Sequence, residues 1–97
     1  MVRIEILEEA IDDLAKGFRF YESQRQGLGD YFLDSLFSDI ESLRLFAGIH
    51  PNHFGYHRLL AKRFPYAVYY KVHEGTVRIH AVLDCRREPG RHEQRLR

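Results

Sequence analysis

Apolar residues alternate at the start of the chain, with Val2, Ile4 and Ile6 sharing one parity, which predicts a short strand over residues 2–7. From Glu8 the period lengthens. Ile11, Leu14, Phe18 and Tyr21 recur at intervals of three and four, the spacing of a helix from about Glu8 to Arg25 that buries one stripe. Glu8 and Glu9 lie in its first turn, where acids favour the helix dipole. Gln26-Gly27-Leu28-Gly29 interrupts the pattern, and Phe32, Leu33, Leu36, Phe37, Ile40 and Leu43 then form a second stripe running to about Phe46. The two predict a helical hairpin whose acids, Asp12, Asp13, Glu22, Asp34, Asp39 and Glu41, read as a solvated outer face.

Gly48-Ile49-His50-Pro51-Asn52-His53-Phe54-Gly55 is rich in turn residues and predicts a connection. Three strands are expected after it, over about 56–64, 66–73 and 76–84, with Glu74-Gly75 as the hairpin turn between the last two. Pro65 fixes its own φ and pushes Phe64 toward extended geometry, so Arg63-Phe64-Pro65-Tyr66 reads as a tight turn feeding an aromatic strand. Val77, Ile79, Ala81 and Leu83 share one face, as do Val68, Tyr70 and Val72, and these faces should cover the helices. The opposite face would show Tyr69 and Lys71 beside Arg78, His80 and Val82, a basic and aromatic surface left uncovered by either helix. The expected fold is α+β in the order β-α-α-β-β-β, one domain over residues 1–97. Its helical hairpin packs on one face of a small, mainly antiparallel four-stranded sheet. Residues 86–97 form a basic tail with five arginines, read as a frayed end or a helix ordered by a partner.

Charge sharpens this picture. Residues 1–48 carry five Lys/Arg against ten Asp/Glu, and residues 49–97 carry ten against four, so an acidic partner would meet the C-terminal half. With 97 residues the chain closes one modest core. Cys85 is the sole cysteine, which excludes an internal disulfide and suits a reducing cytoplasm. No continuous apolar run marks a signal peptide or a membrane span, so a cytoplasmic location with no membrane partner is expected.

No phosphate-binding glycine loop, Ser/His/Asp set, paired carboxylate site or cofactor fingerprint occurs, and no cofactor is expected. His50, His53 and His57 lack any settled zinc spacing and no cysteine accompanies them, so no metal site is assigned. The remaining proton carriers among the strands are His80, Asp84 and Tyr69, and His80 reads first as a strand histidine satisfied by a neighbour. This absence of an acid/base pair favours a binding protein over an enzyme.

Four segments together resemble the RelE/ParE superfamily of type II toxin–antitoxin toxins, and in particular its ParE-like branch. They are Phe20-Tyr21-Glu22-Ser23-Gln24-Arg25, Gly27-Leu28-Gly29-Asp30-Tyr31-Phe32-Leu33, Arg63-Phe64-Pro65-Tyr66-Ala67-Val68-Tyr69-Tyr70 and Val82-Leu83-Asp84-Cys85-Arg86-Arg87-Glu88-Pro89. Asp84-Cys85 stands where ParE-like sequences often carry His-Gly. The resemblance implies a growth-inhibiting toxin that poisons DNA gyrase and is neutralised by a cognate antitoxin, with operator DNA reached only through that antitoxin. On this reading Arg58, Lys62, Arg86, Arg87 and Arg91 contact the target, while Tyr69, Lys71, Arg78 and His80 meet the antitoxin. Two alternatives stand beside it: a RelE-like mRNA endoribonuclease using Arg63, Arg78 and His80, and an inactive relic that only binds antitoxin and tunes its operon.

Overall fold

Ile4 and Ile6 do lie on a strand, though one shorter at each end than expected: β1, Arg3–Ile6, opens the fold in a computed structural model that describes residues 2–97. Helix α1 follows over Glu8–Gln24 and α2 over Leu28–Glu41, with a one-turn α3 at Leu43–Phe46. The strands are β2 (Asn52–His53), β3 (Tyr56–Leu60), β4 (Tyr66–His73) and β5 (Thr76–Asp84), and a last helix, α4, covers Pro89–Leu96.

The sheet has five strands in the order β1-β5-β4-β3-β2, rather than the four expected, because Asn52 and His53 add a two-residue strand to the edge. It is mainly antiparallel, and only β1 runs parallel to its neighbour β5, from Arg3↔Thr76 to Ile6↔Ile79. The third strand ends at Leu60 instead of Phe64, leaving Lys62 and Arg63 in the turn to β4.

The hairpin covers one face. Ala10, Leu14 and Tyr21 of α1 and Phe32, Leu36 and Ile40 of α2 bury against Val68, Tyr70, Val77, Ile79 and Val82. Gly17 lies among them with its α-carbon under the Phe32 ring, which is what lets the two helices approach so closely. At the hairpin's tip the Glu22 carboxylate accepts the Gly27 and Gly29 N–H groups (3.1 and 2.9 Å), satisfying donors that the start of α2 would otherwise leave open.

The second face departs from expectation. Tyr70 pairs with Ile79 but Tyr69 pairs with Ala81, so His80 is an extra residue and the parity of β5 shifts across this bulge. Val82 therefore turns toward the hairpin, while Ala81 joins Ala67 and Tyr69 on the far side. That side is not open: the tail folds into α4 and lays Leu96 and His92 over it, leaving Tyr69 1 % exposed. Tyr69 is thus a core residue and not part of a free surface. The signal for α4 was Pro89 at the helix start and the His92–Leu96 spacing of four, one apolar contact per turn.

Several hairpin acids are also not solvated. Asp13 and Asp39 are buried; Asp39 accepts the Lys62 N–H (3.2 Å) and so pins the β3–β4 turn to α2.

Candidate functional site

Strand β1 ends opposite Ile79, so the edge of β5 beyond it is unpaired, and α1 and α4 flank this gap. Asp13 of α1 accepts the Val82 N–H there (2.9 Å) and takes a bidentate grip on Arg95 of α4 (2.7 and 2.8 Å); Arg95 also reaches Glu9 (3.2 Å). Around this junction lies a cavity of about 310 Å³ lined by Asp13, Lys16, Phe20, Tyr66, Asp84, Arg86, Arg87, Arg91 and Arg95 among others. Arg86 is held by Asp84 (2.8 Å) and lies 5.4 Å from the Phe20 ring centroid. Burial alone would raise the Asp84 pKa, but the Arg86 side-chain and backbone hydrogen bonds and the charges of Arg86 and Arg87 bring it below the usual carboxylate value.

A smaller cavity of about 170 Å³ opens on the second face and contains Arg58, Tyr69, Cys85, Arg87 and His92. His92 donates from Nε2 to the Asp84 carbonyl (2.8 Å), which fixes the tautomer so that Nδ1 accepts from the Tyr69 hydroxyl (2.9 Å). Arg87 and His92 line both cavities, making the β5–α4 connection a cationic ridge between them.

The residues singled out from sequence are only partly brought together. Arg86, Arg87 and Arg91 converge, Arg58 lies next to Arg87 across the ridge, and Lys16 and Arg95 join them unforeseen, Lys16 from the acidic half of the chain. Lys62 and Arg63 stay exposed in the β3–β4 turn, outside both cavities. Arg78 sits toward the other end of β5, paired with Glu5 (3.4 Å). At the rise of about 3.3 Å per strand residue, Arg63 and Arg78 stand on the order of 20 Å apart, so Arg63, Arg78 and His80 do not form one ribonuclease centre. His80 instead rests edge-on against Tyr56 (5.0 Å), over whose ring Lys71 also lies (4.5 Å). His57 stacks on Tyr70 and donates to the His50 carbonyl (2.8 Å), while His50 receives the Tyr70 hydroxyl, so two of the three loop histidines hold the β2–β3 loop to the sheet.

Two histidines make stability depend on pH. Burial, with Lys71 and Arg78 adding to it against Glu9, lowers the His80 pKa below 6.5, and burial with His57 does the same for His50. Both are neutral in the folded chain at pH 7 and above. The unfolded chain binds more protons once pH falls through 6.5, so stability is full above that value and declines below it until the folded-state values are reached. Denaturant titrations from about pH 7.5 to about pH 5 should show a falling midpoint, each group contributing at most about 1.4 kcal/mol per pH unit, and His80→Gln should flatten the slope. A midpoint independent of pH would contradict the burial of both rings.

On the hairpin's outer side the apolar arc of α1 is wider than the sheet can cover. Ile11 is 52 % and Phe37 44 % exposed, and with Ile6, Leu14, Phe18 and Leu33 they line an apolar groove of about 670 Å³.

An edge strand, a helical hairpin, a mainly antiparallel sheet and a returning helix make up a small α+β architecture. Among solved structures it is shared by a chain of the "Chromosomal ParDE TA system from P. aeruginosa", with a TM-score of 0.72 over 84 % of this chain and 94 % of that one. Sequence identity is 17 %, so the likeness is one of fold. No family model matches the sequence, and no curated protein matches it. No described helix is long and apolar enough to cross a membrane.

Proposed function

We propose that this chain is the toxin of a type II toxin–antitoxin module that arrests growth by contact with DNA gyrase and is neutralised by a cognate antitoxin. The observation that carries the reading is the fold shared with a chain of the ParDE system, at a TM-score of 0.72. The gathering of Arg86, Arg87 and Arg91, with Arg58 across the ridge, supports a contact mechanism, since it supplies positive charge while both His92 ring nitrogens are held by Tyr69 and the Asp84 carbonyl. The target site is this ridge; Lys62 belongs to it only as a flank in the neighbouring turn. The antitoxin covers the apolar groove of α1 and α2, and Lys71, Arg78 and His80 offer it a second contact on the open part of the far sheet face. Operator DNA is reached through the antitoxin.

Purified protein should inhibit supercoiling by gyrase, and the double variant Arg87→Ala/Arg91→Ala should require about tenfold more protein or beyond. Neither side chain makes an ion pair among the described residues, so the fold should survive the change. Unchanged supercoiling with excess wild-type protein would remove gyrase as the target. Normal growth on expression without antitoxin would leave only an inactive relic.

A further inference from the structure

The cavity between α1 and the β5–α4 connection holds more charge than its own carboxylates balance. Lys16, Arg86, Arg87, Arg91 and Arg95 line it against Asp13 and Asp84. Arg86 is engaged by Asp84, and Arg95 by Asp13 and Glu9. Lys16, Arg87 and Arg91 make no ion pair among the described residues. They come from α1, the β5–α4 connection and α4, so the fold itself holds three like charges around one space. Guanidinium forks match phosphate oxygens two at a time, and a lysine adds a mobile point charge.

Two further features narrow the ligand. The Tyr66 side chain lines this cavity, and its hydroxyl makes no hydrogen bond to the protein among the described residues, so it is free to bond to solvent or a ligand there. Burial, then the charge of Asp84, pushes its pKa up to about 12, so it stays a donor at neutral pH. Phe20 is 42 % exposed on the same wall, and an exposed aromatic ring within a cationic groove is a platform for a nucleobase. A volume of about 310 Å³ is on the scale of a small-molecule ligand such as one nucleotide.

We propose that this pocket binds a single nucleoside phosphate, with its phosphoryl oxygens among Lys16, Arg87, Arg91 and the Tyr66 hydroxyl and its base against Phe20. The nucleotide is either free or the 5′-terminal residue of a strand; the two share this chemistry. Such binding uses only the pocket and does not require gyrase to be the target.

The test is calorimetric and NMR titration of the full chain at low salt with adenosine 5′-monophosphate, adenosine, inorganic phosphate, and short oligothymidylate with and without a 5′-phosphate. Adenosine 5′-monophosphate should bind saturably and shift the amides of Lys16, Phe20, Arg87 and Arg91. Adenosine and inorganic phosphate should each bind about tenfold more weakly or worse, as expected when one half of the ligand is missing. Arg91→Ala and Phe20→Leu should each weaken the monophosphate by a similar factor, whereas Arg3→Ala, at the start of β1 opposite Thr76, should not. Tighter binding of the 5′-phosphorylated strand than of the free monophosphate assigns the strand end; equal or weaker binding assigns the free nucleotide. Three results overturn the proposal: no saturable binding of the monophosphate, equal affinity for inorganic phosphate, or strand binding that ignores the 5′-phosphate while the monophosphate fails to bind. Because no gyrase is present, a negative result here leaves the toxin reading untouched, and a negative supercoiling assay leaves this one untouched.

Discussion

Alanine in place of Asp13 is expected to lower folding stability by about 3–5 kcal/mol, the usual result of removing one partner from a buried ion pair. Asp13 is 7 % exposed and serves two elements at once, closing the open edge of β5 at Val82 and anchoring α4 through Arg95. Its loss leaves a buried N–H without its acceptor and a guanidinium, only a quarter exposed, with the exposed Glu9 as its one remaining carboxylate. Asp13→Asn keeps an acceptor for Val82 and should fall between alanine and wild type. Urea unfolding reads the size of the effect. Amide exchange reads its place, with α4 and Val82 losing protection before β4. A variant as stable as wild type, with α4 still protected, would mean that the Asp13–Arg95 pair does not hold the tail.

The second large effect runs against helix propensity. Gly17→Ala should gain about 1 kcal/mol from propensity in mid-helix. A Cβ at position 17, however, would sit 2.4 Å from the Phe32 ring, and that ring has nowhere to go. It is fully buried, with Tyr21, Phe64 and Tyr66 centred 5.1, 5.1 and 4.9 Å away. The helices must separate or the aromatic cluster must repack, at about 3 kcal/mol, the upper end of ordinary overpacking. The net loss of about 2 kcal/mol corresponds to a melting temperature lower by about 10 °C for a chain of this size. Gly17→Val should be worse. A neutral or stabilising Gly17→Ala would show that α1 and α2 are not in such close contact.

Local patterns in the sequence carried most of the architecture. The alternation of Ile4 and Ile6, the 3–4 spacing from Leu14 to Tyr21 and from Phe32 to Ile40, and the Glu74-Gly75 turn each reappear as elements, with α1 ending one residue from its expected limit and β4 and β5 where they were placed. The second helix, expected to run to about Phe46, instead breaks at Ser42 into α2 and α3. Features set by tertiary context were not legible. The bulge at His80 has no signature in a run of alternating residues, yet it reassigns Ala81 and Val82 to opposite faces. Asp13, Asp39 and Glu22 look like surface acids until the backbone N–H groups they satisfy are known. Of the site, the cluster of Arg86, Arg87 and Arg91 could be read from adjacency along the chain. Lys16 and Phe20 could not, because only the docking of α1 beside α4 brings them there.

The pairing of β1 with β5 has a consequence for how the protein is made. Glu5 and Arg78 are 73 positions apart, yet their strands are immediate neighbours. Closing so long a loop is an entropic barrier that local hairpin formation does not face. During synthesis the nascent chain can build its helices early, but the first strand waits without a neighbour until β5 has left the ribosome. Until β5 has been made, the apolar side of the helices therefore lacks the strands that cover it in the folded protein.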